Sequence, residues 1–120
     1  MGNFQDLRVW QLAKDLAVRI YKVTNESPTF QKDFRFRDQI RAAAISVPSN
    51  IAEGDELGSN KQSIRHFNIA KGSTAEVITQ LIIAYEVDYL PQEVSDELIN
   101  DYGHVSHMLA RLITARTPKP

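Results

Sequence analysis

The sequence predicts an all-α protein, an antiparallel up-down-up-down four-helix bundle. Three observations carry that expectation. Apolar residues recur at steps of three and four along four segments, nothing alternates with period two, and the breaks between segments are short and rich in Pro, Gly and Asn. Four long helices joined by short loops pack each beside the next in chain order. A chain of 120 residues implies one domain, 1–120, built on one core.

The first helix is expected at about 6–24, with Val9, Trp10, Ala13, Leu16, Ala17, Ile20 and Tyr21 on one stripe. Leu12 and Val23 widen its apolar arc to about half the wheel, more than one bundle seam needs. Asn25-Glu26-Ser27-Pro28 then breaks it, because proline disfavours helical geometry in the residue before it. The second helix is expected at about 33–54, with Phe36, Ile40, Ala43, Val47 and Ile51 inward. Pro48 removes a backbone bond to Ala44, but the apolar period continues across it, which implies a kink rather than a stop. Gly54 and Gly58 punctuate the next loop.

The third helix is expected at about 60–88. Ser59 and Gln62 have the spacing of a capping box. Ile64, Phe67, Ala70, Ile78, Leu81, Ile82 and Tyr85 make the expected core stripe. Leu90-Pro91 closes the turn, and the fourth helix follows at about 91–115 with Val94, Leu98, Tyr102, Val105, Leu109 and Leu112 inward.

The third helix carries more apolar residues than one core can use. Ile69, Ile83 and Val87 project about 120–180° from the expected stripe, at about 100° per residue. With Glu76 between Ile69 and Ile83, and Gly72 and Ser73 beside them, this row is a candidate contact between subunits; scattered exposed apolar residues are the alternative. If the row is covered, Glu76 needs a positive partner, for which Arg41 is the economical candidate. The second helix adds Gln39, Ala42, Ser46, Asn50 and Glu53, a row that either admits a neighbour or faces water.

Net charge is −1, unlike that of strongly basic nucleic-acid binders. Six acids and no Lys or Arg lie between Glu86 and Asp101, and only bases follow. The chain has no cysteine, which excludes disulfides and thiolate metal sites and points to a cytoplasmic protein. Neither a signal peptide nor a membrane span is expected, so Asn25-Glu26-Ser27 carries no weight as a glycosylation site.

No catalytic constellation is present: no nucleophile elbow, no phosphate-cradling loop, no His-Glu-x-x-His. Ser46 and Ser73 lack a base to activate them. His104 and His107, with Asp101, have helical metal-site spacing but lie off the apolar stripe and lack inward Glu partners. The expectation is a non-enzyme with no cofactor and no metal.

Three motifs occur in order: Asp6-Leu7-x-Val9-Trp10-Gln11, Ser46-Val47-Pro48-Ser49-Asn50-Ile51-Ala52-Glu53-Gly54, and Phe67-x-x-Ala70-x-Gly72-Ser73-x-x-Glu76. In these the chain resembles the bacterial four-helix-bundle family of 23S rRNA intervening-sequence proteins, and is similar to the accessory variability determinant of diversity-generating retroelements. It departs in having Ala42 where many relatives carry a second arginine and Ile78 where a second acid often stands. The resemblance implies a ring-like homopentamer without enzymatic activity. For some members it implies binding of structured RNA or DNA, or of a reverse transcriptase, through basic surfaces. The candidate contacts are Lys32, Arg35, Arg37 and Arg41 around the second helix, and Arg8, Lys61, Arg65, Arg111 and Arg116 elsewhere. Up-down topology gathers Arg8, Lys61 and Arg116 at one end, with the acidic run at the other. A structural homo-oligomer without nucleic acid is the rival reading, and a metal-binding bundle a third.

Overall fold

The computed structural model describes residues 3–57 and 59–119; Gly58, expected in a loop, lies outside them. After a 3-10 turn at Phe4–Asp6 come α1 (Arg8–Glu26), α2 (Pro28–Lys32), α3 (Phe34–Glu56), α4 (Asn60–Glu86) and α5 (Gln92–Arg116). Among the described residues there is no strand. The four long helices pack α1 on α3, α3 on α4, α4 on α5 and α5 on α1, while the backbones of the diagonal pairs stay apart among the described residues. This is the expected antiparallel bundle, drawn out to 49 × 21 × 20 Å.

Capping chemistry sets the boundaries. The Ser27 hydroxyl accepts from the Phe30 amide at 3.2 Å, and Pro28 occupies the first turn of α2, where its missing N–H costs nothing. Asp33 caps α3 by accepting from Phe36 N at 3.1 Å. Ser59 caps α4 through Gln62 N at 3.3 Å. The α4–α5 turn is made by Asp88, which adopts φ 63°, a left-handed conformation that Asp tolerates better than most residues. α3 runs on through Pro48, which is buried. The short helix α2 was not expected; five residues are too few to show a period.

The core matches the expected stripes of α3 and α5, and that of α1 except at Tyr21, which is exposed, but corrects that of α4. Its inward line is Ser63, Phe67, Ala70, Thr74, Val77, Leu81 and Ala84, whereas Ile82 and Tyr85 are exposed and Ile64 and Ile78 half-buried. Small residues face α3 because its own contact line is also small: Ala43, Ala44, Pro48 and Gly54 are buried there. Close backbone approach thus replaces bulk, and the large side chains turn outward. At Gly54 the approach is tightest. A Cβ there would lie 2.7 Å from the Phe67 ring, and Ser63 Oγ donates to the Gly54 carbonyl at 2.6 Å.

Candidate functional site

The long motif on α3 builds the seam with α4. Its inward residues Val47, Pro48, Ile51 and Gly54 are buried. Its outer flank forms a polar ladder: Ser46 Oγ and Ser73 Oγ are 2.9 Å apart, and Asn50 Nδ2 donates to the Ser46 carbonyl at 2.9 Å. Asn50 Oδ1 meets His66 Nδ1 at 3.0 Å, and Glu53 Oε2 lies 3.3 Å from the same nitrogen. Ser46, Asn50 and Glu53 are therefore engaged within the chain. Gln39 and Ala42 of the same row are exposed.

The row expected to meet another subunit lies on the outer flank of α4. Ile69, Ile83 and Val87 are 42, 46 and 49% exposed. Gly72 is exposed, with nothing within 4 Å of a Cβ placed there, while Ser73 is half-buried. Gln80, on the same flank three residues before Ile83, is buried with its Oε1 unpaired among the described residues. Within one chain Glu76 is exposed and makes no ion pair among the described residues. The expected Arg41 partnership is absent. Arg41 instead reaches the end of α1, donating to Thr24 Oγ1 at 2.9 Å and Asn25 Oδ1 at 2.7 Å, with its guanidinium 4.7 Å from the Tyr21 ring centre. Thr24, not read as a core residue, offers that hydroxyl because helix α1 extends past it.

The nine candidate cations divide into two groups. Arg41 and Arg116 are half-buried and tied down; Arg116 bonds Asp55 at 3.0 Å and stacks 5.4 Å from the Phe67 ring centre. Arg37 lies 3.3 Å from Asp38 and 5.0 Å from the Phe34 ring centre. In contrast, Arg8, Lys32, Arg35, Lys61, Arg65 and Arg111 are all exposed and make no ion pair among the described residues. The bundle topology places Arg8, Lys61 and Arg116 at one end. It also places Lys32, Arg35 and Arg37 at the other, beside the acids of the α4–α5 turn, so that end carries both signs.

Sequence reading missed Phe34. At 63% exposure it is the most exposed of the large apolar residues described. The signal was an aromatic residue set between Lys32, Arg35 and Arg37 and off the inward stripe. Its neighbour Phe36 turns inward, 5.0 Å from Phe30 and 5.8 Å from Tyr89 between ring centres.

Perturbed titrations are few. Burial pushes the Tyr102 hydroxyl up; it has no partner among the described residues. Tyr89 is raised by its hydrogen bond to Asp33, and Glu97 is lowered by the Arg19 guanidinium. None of these sits with a nucleophile and base. His104 and His107 are exposed, and no cluster of three metal-ligating side chains occurs among the described residues. No described helix is long and apolar enough to cross a membrane.

A family model described as 23S rRNA-intervening sequence protein matches residues 5–111. A search of curated proteins returns no match. Among solved structures, the chain is similar to a protein of the S23 ribosomal protein family from Bacteroides thetaiotaomicron, itself described as having unknown function. That likeness has 26% identity and a TM-score of 0.82 over 88% of this chain and 97% of the other. The match takes in all three motifs and nearly every core residue of the bundle, and on that ground the chain belongs to the 23S rRNA-intervening sequence protein family.

Proposed function

We propose that the protein is a non-enzymatic homo-oligomer that binds structured RNA or DNA, weakly per copy and without strong sequence preference. The observation supporting this most directly is the division of its cations. Arg41 and Arg116 are consumed in holding helices together, whereas Lys32, Arg35, Arg65, Arg8, Lys61 and Arg111 project into solvent without an acidic partner among the described residues. A chain of net charge −1 that nevertheless leaves these side chains unpaired has local patches suited to phosphates. Assembly into a ring multiplies each patch by the number of copies. The binding target is an RNA or DNA directly, or one presented by a processing partner such as a reverse transcriptase.

The outer row of α4 supports the assembly. Mid-helix glycine costs about 1 kcal/mol relative to alanine, and nothing within the chain requires Gly72, since a Cβ there meets no atom within 4 Å. A neighbouring helix close to Gly72, covering Ile69 and Ile83, would account for it. The same flank suits a purely structural oligomer, so the deciding experiment is binding. Affinity for a folded RNA should fall steeply with added salt as counterions are released. Replacing Lys32, Arg35 and Arg65 together by Gln should flatten that dependence while leaving the assembly mass unchanged. An intact oligomer that binds neither RNA nor DNA at low salt would leave the structural reading in its place.

A further inference from the structure

We propose that Phe34 is a stacking platform for an unpaired nucleotide base, with Lys32 and Arg35 holding the adjoining phosphates. This rests on the nucleic-acid reading above and adds a site to it. Phe34 is the first residue of α3 and is 63% exposed, although Phe30 and Phe36, close beside it in the chain, pack with Tyr89 in an aromatic cluster. The Arg37 guanidinium lies 5.0 Å from its ring centre. Such an arginine–aromatic pair leaves ring surface open and brings positive charge beside it.

The surroundings fit a nucleotide better than an apolar partner. A surface concavity of about 540 Å³ is bounded by Thr29, Lys32, Asp33, Phe34, Arg35 and Tyr89. The two acids nearest Phe34 in the chain are already engaged. Asp33 accepts from Phe36 N at 3.1 Å and from the Tyr89 hydroxyl at 2.8 Å, and Asp38 lies 3.3 Å from Arg37. Lys32 and Arg35 have no ion-pair partner among the described residues, so the positive charge at the rim is theirs to offer. Bases inside a duplex are stacked on each other and do not present a face to such a ring. Bases in loops, bulges and ends do, and aromatic side chains are how proteins read them.

The test compares two RNAs, a blunt duplex and a hairpin of the same stem carrying an unpaired loop with 2-aminopurine. Phe34→Ala should weaken hairpin binding by about five- to a hundred-fold, the range for one lost base–aromatic stack. Duplex affinity should not change, and the 2-aminopurine quenching seen with wild type should disappear. Phe34→Trp should retain both affinity and quenching. Equal loss on both RNAs, or no loss on either, overturns the platform while leaving nucleic-acid binding standing. A changed assembly mass in Phe34→Ala by light scattering would make Phe34 a subunit contact and overturn it as well. If wild type binds neither RNA at low salt, the platform and the proposed function fall together.

Discussion

The two halves of the α3–α4 pair use their residues differently. Toward the end of α3 and the start of α4, the motif residues are consumed by the fold. Gly54 admits Phe67, Ser63 bonds the Gly54 carbonyl, and Ser46, Asn50 and Glu53 meet Ser73 and His66. Toward the other end, the pair leaves Ile83, Val87 and Phe34 in solvent beside cations without internal partners. The long motif that carries the family resemblance is thus a device for closing two helices on each other. The surface available to partners lies largely outside it.

That contrast can be broken from either side. The largest effect is expected at Phe67, which is fully buried against Gly54. Phe67→Ala should cost about 3–5 kcal/mol, measured by urea denaturation. A cost below about 1 kcal/mol, close to that of ordinary surface changes, would mean that the seam does not anchor the bundle.

On the opposite flank, Ile69→Asp with Ile83→Asp should give folded, helical monomers. Each isoleucine forgoes up to about 1.5–3 kcal/mol if it is denied full burial, and in a closed ring every contact repeats the damage. Light scattering after size exclusion reports the mass, and circular dichroism the fold. A mutant that keeps the wild-type mass would place the interface elsewhere.

A smaller loss, about 1 kcal/mol, is expected for Asn50→Ala, which removes the centre of the polar ladder. It should lower the denaturation midpoint without changing RNA affinity. A selective loss of binding would move the ladder from the fold to the function.

The smallest effect concerns Arg19 and Glu97, whose side chains meet at 2.7 Å on the α1–α5 seam. The Glu97 carboxyl titrates below its ordinary value because Arg19 holds it. Its contribution is therefore present above the unfolded-state pKa and lost as pH falls through the folded one. Arg19→Gln should slightly flatten the acid limb of the stability profile near pH 4, about the ordinary carboxylate range. An unchanged limb would show the pair to be too solvated to matter.

How much of this could be read beforehand varied with side-chain size. The four helices and the breaks at Ser27-Pro28 and Leu90-Pro91 followed from period, caps and prolines, which act locally, whereas Gly54, expected in a loop, lies buried inside α3. The inward face of α4 followed only at Phe67, Ala70 and Leu81, because the rest of its packing depends largely on Ser63, Thr74 and Ala84, whose weak hydrophobicity was outweighed by Ile78, Ile82 and Tyr85. The outer row from Ile69 to Val87 was visible as surplus apolar residues. The division of the cations was not. Arg41 and Arg35 look alike in sequence, and only the crossing of α1 over α3 gives Arg41 the Thr24 hydroxyl and the Tyr21 ring.

Asp33 has a consequence beyond capping. One of its oxygens fixes the start of α3, the other accepts the Tyr89 hydroxyl, and Ser27 donates back to the Tyr89 carbonyl at 2.9 Å. Two turns separated by about half of the chain are therefore latched to each other, and neither can open without releasing the other. In amide hydrogen exchange, Phe30 and Phe36 should open as one unit with the turn around Leu90, rather than fraying separately. The latch also has an alkaline limit. The Tyr89 hydroxyl holds its proton above its ordinary pKa, so its stabilisation is complete below the unfolded-state value, about 10, and disappears as pH rises through the folded one. Above that point exchange at the three sites should quicken together.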